Sequence, residues 1–203
     1  MDHVVLREFL DRRVRDGVLR RAIDKWLSAG VLEEGIVIHP ETGTPQGGVI
    51  SPLLANVYLH EVLDRWFEET VKPQMEGEAF LVRYADDFVM VFASQRDAQR
   101  VMKVLAARFA KYQLTVHPSK TRVVDFGRPR LNHMGKKEAS FAFLGFTHYW
   151  GRSRKGTWVV KRKTESKRIS RAAEAVAEWC RKNRHLPLVE QHQKLGRKIQ
   201  GHG

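Results

Sequence analysis

Between two apolar runs, Phe80-Leu81-Val82-Arg83-Tyr84 and Phe88-Val89-Met90-Val91-Phe92, the chain places Ala85-Asp86-Asp87. Both runs are rich in β-branched and aromatic residues, which pack well on a pleated surface. So short an interruption reads as a tight turn, and the segment as an antiparallel hairpin with two carboxylates at its tip. Adjacent residues within a strand point to opposite faces. At a turn both carboxylates can instead stay in water and hold a hard divalent ion such as Mg2+. That arrangement suits nucleotidyl transfer, in which paired metals ~3.5–4 Å apart stabilise the attacking and leaving oxygens. An Asp-Asp pair is also ordinary turn chemistry. Tyr84–Asp87 alone does not separate the two readings.

Around this hairpin the periodicity is mixed. Residues 4–16 carry Val5, Leu6, Phe9, Leu10 and Val14 on one helical stripe, and residues 18–29 carry Leu19, Ala22, Ile23, Trp26 and Leu27 on another. Residues 35–50 concentrate glycine and proline and read as loop. Ser51-Pro52 then opens a helix to about Glu68, with serine as N-cap and proline at the first helical position. Ser94 and Asp97 resemble a capping box before a helix bearing Val101, Met102, Leu105, Phe109 and Tyr112. Leu114–Val116, Arg122–Phe126, Phe141–Thr147 and Thr157–Lys161 are strand candidates. Ile169 to Cys180 and Leu188 to Ile199 are helical ones. The expected class is α+β, with helices on one face of an antiparallel sheet.

A second motif precedes the hairpin: Gly43-Thr44-Pro45-Gln46-Gly47-Gly48-Val49-Ile50-Ser51-Pro52-Leu53-Leu54-Ala55-Asn56, a glycine-rich loop entering a helix. Glycines let another backbone or a nucleotide approach closely. Gln46 can both donate and accept toward base or sugar edges. A well-capped structural loop would look the same. In order and rough spacing, this string, Tyr84-Ala85-Asp86-Asp87, Lys120-Thr121 and Phe143-Leu144-Gly145-Phe146 resemble the group II intron (maturase) reverse transcriptases. The resemblance spans nearly the whole chain and is weakest after Trp150.

The resemblance implies a fold and a set of roles. The fold is a reverse-transcriptase palm over residues 1–150, then the basic, partly helical start of a thumb over 151–203. Asp86 is then the palm's metal-binding aspartate and Asp87 its neighbour with a lesser role, together serving two Mg2+ ions in the complete enzyme. Tyr84 and Ala85 line the floor under the primer terminus, and Pro45, Gln46 and Gly47 meet the template–nucleotide pair. Lys120 lies near the triphosphate, or is a surface lysine. Phe143, Leu144 and Gly145 belong to a hairpin that positions the primer, with core packing by the phenylalanines equally in play. Lys161, Arg162, Lys163, Lys167, Arg168 and Arg171 grip the nucleic-acid backbone. The implied activity is RNA-directed DNA synthesis, with an RNA template, a DNA primer and dNTP as partners. The alternative is a non-catalytic, maturase-like protein holding structured intron RNA. In the family, the upstream catalytic strand ends in an apolar residue followed by Asp-His, and here Met1-Asp2-His3 stands first. Asp2 thus matches the trailing aspartate, not the metal ligand. The expectation is a palm architecture without independent polymerase activity, with a missing N-terminal fragment as a possible partner.

Charge supports the nucleic-acid reading. Of 36 Lys+Arg and 23 Asp+Glu, residues 150–203 hold 15 and 4, a net of +11 against +2 for the rest. Excess cation concentrated in one segment points to a polyanion. A single cysteine, Cys180, excludes a disulfide framework within the chain and fits a reducing, intracellular compartment. No apolar run reaches membrane-spanning length, so no membrane partner is expected. His185 and His192 lack the spacing of a zinc motif.

Overall fold

The structure, a computed structural model, describes residues 2–28, 31–33, 36–38, 50–129 and 139–200. It divides into two compact units, Met1–Val123 and Val124–Gly203.

In the first unit, α1 (His3–Asp11) buries Leu6, Phe9 and Leu10. Asp2 caps it: one carboxylate oxygen accepts from the Val4 amide at 2.8 Å and from Val5 at 3.3 Å. Two donors that the helix leaves orphaned are thereby satisfied. The helix stops short of the 4–16 expected because Asp16 begins another. Its carboxylate accepts from the Val18 and Leu19 amides at 2.7 and 2.8 Å, starting α2 (Gly17–Ser28). A short antiparallel pair follows, β1 (Val31–Glu33) and β2 (Ile36–Ile38), with Val31 opposite Ile38. Ile36, Val37 and Ile38 are β-branched and make a strand inside the stretch expected to be loop.

Helix α3 (Ser51–Leu59) carries Pro52 in its first turn and buries Leu54 and Tyr58. It does not end near Glu68. It continues through two wider π-helical stretches, His60–Asp64 and Phe67–Val71, and finishes as the 3-10 turn Lys72–Gln74. These stretches keep Val62, Leu63, Phe67 and Val71 all buried. Burial pushes the Tyr58 phenol above its usual pKa, so it stays protonated and donates to the Tyr112 carbonyl at 2.8 Å.

The expected hairpin is present as β3 (Ala79–Tyr84) and β4 (Asp87–Phe92), paired from Ala79 opposite Phe92 to Tyr84 opposite Asp87. Alternation turns Ala79, Leu81 and Arg83 toward the helices and leaves Phe80, Val82 and Tyr84 exposed. Helix α4 (Gln95–Ala110) lies against the inner face, burying Val101, Leu105 and Phe109. The Phe88 and Phe109 rings are 6.0 Å apart, and those of Phe67 and Phe92 6.3 Å. The capping box expected at Ser94 and Asp97 does not form. Ser94 is the N-cap but makes no side-chain cap bond. Buried Asp97 accepts from the Glu76 amide at 2.9 Å and so ties down the loop before β3.

Leu114–Val116 and Arg122–Phe126 join no ladder among the described residues. Leu114 and Val116 instead pack against the core as an irregular segment.

The second unit holds a meander of β5 (Ser140–Phe143), β6 (Phe146–Arg152) and β7 (Trp158–Thr164), then α5 (Ser166–Asn183) and α6 (Leu188–Gln200). The single strand expected over Phe141–Thr147 is split by a two-residue turn. Leu144 and Gly145 both have positive φ, +53° and +79°, as the commonest tight hairpin turn requires. Gly151 and Arg152 belong to β6 and pair with Val159 and Trp158 of β7, so the 150/151 division implied by the resemblance falls within this sheet. No described side chain of this unit is fully buried. Its packing centres on Phe126, whose ring lies 4.9 Å from Phe141 and 5.6 Å from Trp150, and whose carbonyl accepts from the Trp150 indole at 3.0 Å. The architecture is α+β, as expected, and among the described residues its strands form three small antiparallel sheets.

Candidate active site

The Tyr84–Asp87 turn stands at the exposed end of the β3–β4 hairpin. Tyr84 and Asp87 face each other as the last cross-strand pair, leaving Ala85 and Asp86 as the turn itself. Both aspartates are exposed. Ala85 sits at φ +53°, a left-handed conformation that costs an L-residue with a Cβ roughly 1–2 kcal/mol. A strained residue persists only where its surroundings impose it.

The surroundings are visible beneath the turn. Arg83 occupies a core-facing position, and its side chain is 13% exposed. Its guanidinium grips Asp64 with two parallel bonds, Nε to Oδ1 at 2.7 Å and Nη2 to Oδ2 at 2.6 Å. Its remaining terminal nitrogen, Nη1, donates to Asn56 Oδ1 and to the Ala85 carbonyl, both at 2.8 Å. His60 Nδ1 lies 3.3 Å from Asp64 on the adjacent turn of helix. Four of the five arginine donors are thus placed. Sequence reasoning gave no role to Arg83, Asp64 or Asn56. The signal was available: in an alternating strand, position 83 shares its face with Ala79 and Leu81, where a lone cation needs a partner.

Two exposed carboxylates on a fixed turn suit a hydrated Mg2+, which keeps several waters and takes one or two carboxylates alongside substrate phosphates. Among the described residues no group of three His, Cys, Asp or Glu side chains is arranged to hold a metal. Asp2 spends its carboxylate elsewhere: one oxygen caps α1 and the other accepts from Gln113 Nε2 at 2.8 Å.

The other expected site residues fall in different places. Pro45, Gln46 and Gly47 lie outside the described residues. Lys120 is exposed in a turn closed by its own amide to the His117 carbonyl at 3.1 Å. In the second unit, Phe143, Leu144 and Gly145 form the end of the β5–β6 hairpin. A Cβ on Gly145 would overlap the Arg168 guanidinium, and the Gly145 carbonyl accepts from the Glu165 amide at 3.0 Å. The start of α5 is therefore seated on this turn. Lys161, Arg162, Lys163, Lys167, Arg168 and Arg171 are all exposed. Among the described residues none of the six forms an ion pair, whereas Lys182 and Lys194 pair with Glu178 and Glu190. Lys163 stands 5.5 Å from the Tyr149 ring. No described helix is long and apolar enough to cross a membrane.

Comparison with known proteins draws these features together. The chain is 45% identical over 62 residues to the group II intron-encoded protein LtrA of Lactococcus lactis, an overlap of 30% of this chain and 10% of that protein. It is 32% identical over 114 residues to protein YkfC of Escherichia coli, covering 44% and 30% respectively. It is 31% identical over 84 residues to the telomerase reverse transcriptase of Takifugu rubripes, covering 41% and 7%. The chain thus spans about a tenth of LtrA and under a third of YkfC. The family described as reverse transcriptase (RNA-dependent DNA polymerase) matches over residues 2–148, both motifs included, and the chain belongs to that family.

Proposed function

We propose that this chain supplies the carboxylate turn of an RNA-directed DNA polymerase of group II intron type, extending a DNA primer on an RNA template with dNTP. The observation that carries this reading is the exposed Asp86–Asp87 pair at a strained turn, held from beneath by a part-buried arginine. Asp86 and Asp87 would hold Mg2+, which when bound stabilises charge on the reacting phosphate oxygens. Tyr84 and Ala85 form the surface on which the primer terminus rests. Pro45, Gln46 and Gly47 contact the template–nucleotide pair, and Lys120 serves the triphosphate. Phe143, Leu144 and Gly145 position the primer strand. The six exposed cations from Lys161 to Arg171 meet the duplex backbone.

With Asp2 committed to capping, the turn is short of a further carboxylate among the described residues. The chain alone is expected to give no Mg2+-dependent primer extension above an Asp86→Ala control. Extension that this substitution abolishes would overturn that expectation. The site itself is tested by Mn2+ added to the chain bound to a DNA–RNA primer–template. Amide NMR signals of Tyr84–Asp87 should broaden selectively, and Asp86→Asn should remove the effect. Broadening elsewhere, or none, would count against the metal assignment.

The unpaired cations of β7 and α5 favour a second reading, a protein that holds structured intron RNA without chemistry. Its binding would be insensitive to Asp86→Ala but steeply dependent on salt. Contact with 6–10 phosphates predicts a loss of roughly 10³–10⁵ in affinity between 50 and 200 mM salt. A shallow salt dependence would exclude it.

A further inference from the structure

We infer that Arg83 is a positioning residue that sets the conformation of the Asp86–Asp87 turn by clamping the Ala85 carbonyl to helix α3; the inference rests on the proposed role of that turn. Three observations meet in one side chain. Arg83 is almost buried in a strand whose inner face is otherwise apolar. Its fork is fixed by Asp64 at 2.7 and 2.6 Å, so the guanidinium plane has no rotational freedom of its own. The nitrogen left over reaches both Asn56 and Ala85.

Asn56 is the last residue of the glycine-rich string, and Ala85 belongs to the aspartate turn. One guanidinium therefore bridges the two motifs that carry the family resemblance. The rigidity runs from the helix outward. Asp64 and Asn56 stand two turns apart along α3 and its continuation, and both hold the same group. Ala85 cannot leave φ +53° without carrying its carbonyl off Nη1. The backbone that carries the two carboxylates then has one course rather than several, which is what a metal site needs from its supporting residues. A lysine cannot do the same work: it is a point charge with no planar fork.

The test uses the full chain bound to a DNA–RNA primer–template and two NMR readouts, the backbone order of Ala85–Asp87 and the Mn2+ concentration that half-broadens their signals. Arg83→Lys should lower the order and raise the Mn2+ midpoint about tenfold. Asn56→Ala, which leaves the Asp64 pair intact, should produce a smaller change in the same direction and covers the case in which Arg83→Lys fails to fold. Adding Ala85→Gly to Arg83→Lys should move the turn in a way that a general loss of stability would not, because glycine accepts positive φ freely: the Mn2+ midpoint should move part of the way back toward the wild type. Unchanged order and midpoint in both Arg83→Lys and Asn56→Ala would overturn the inference. If the wild type shows no Mn2+ effect at the turn, the metal assignment fails, yet the order measurements still decide whether Arg83 sets the turn.

Discussion

Replacing Phe67 by alanine is expected to lower the unfolding free energy by about 4 kcal/mol, within the usual range for a buried phenylalanine. The ring is wholly enclosed. It packs edge-on to Phe92 of β4 and shares a cluster with Val71, Ala79 and Val101. It lies at the first residue of a π-helical stretch, where helix α3, the β3–β4 hairpin and α4 converge. A loss of that size is a large part of the ~5–15 kcal/mol that stabilises a typical domain. Urea unfolding of the wild type and the variant would measure it. A change below about 1.5 kcal/mol, no more than an Ile→Val trim costs, would mean that the hairpin is not sealed against this helix.

Glu61→Ala should follow, at about 2–3 kcal/mol. Glu61 is a buried carboxylate serving three guanidiniums: Arg65 at 2.9 Å, Arg12 at 3.1 Å and Arg13 at 3.7 Å. Removing one member of a buried pair costs about 3–5 kcal/mol when the other charge is left in a dry interior. Here the arginines keep access to water, their side chains being 38% to 65% exposed, which places the loss lower. Arg12→Ala removes one of three partners on the wet side and should cost under ~1 kcal/mol. Equal losses from the two substitutions in the same denaturation experiment would contradict a shared central carboxylate.

The hairpin and its carboxylates were readable because two signals coincided, apolar strand residues on both sides and a turn too short to be anything else. Helix α4 was readable because Val101, Leu105 and Phe109 repeat at helical spacing and all three are buried. Where two polar partners compete, sequence reasoning failed. Asp97 has the spacing of a cap residue but is drawn to the Glu76 amide, a contact 21 positions away that no local pattern contains. Strand-like residues at 114–116 and 122–126 found no neighbouring strand among the described residues and stayed irregular, since strand propensity describes a fit to a sheet and not a property of the segment. The Phe143–Phe146 turn was hidden because Leu144 is a poor candidate for positive φ, and only Gly145 beside it advertised one. Lys120 and the cations of α5 were located as residues, but their chemistry depends on partners that the sequence names only by charge.

The two π-helical stretches give the length of this helix a meaning of its own. Each accommodates about one residue more than a regular helix over the same rise. Deleting a single residue between Leu59 and Asp64 would therefore not break the helix; it would let it relax to the ordinary form. The geometric consequence is that phase is kept, because each residue of the regular helix turns the chain by about 100°, more than a residue of the wider form, and makes up for the one removed. Asn56 and Asp64 would both keep their bearing toward Arg83, seven positions apart instead of eight. Phasing along the barrel of this helix, rather than the identity of any one residue in it, is what lets two side chains eight positions apart close on the same guanidinium.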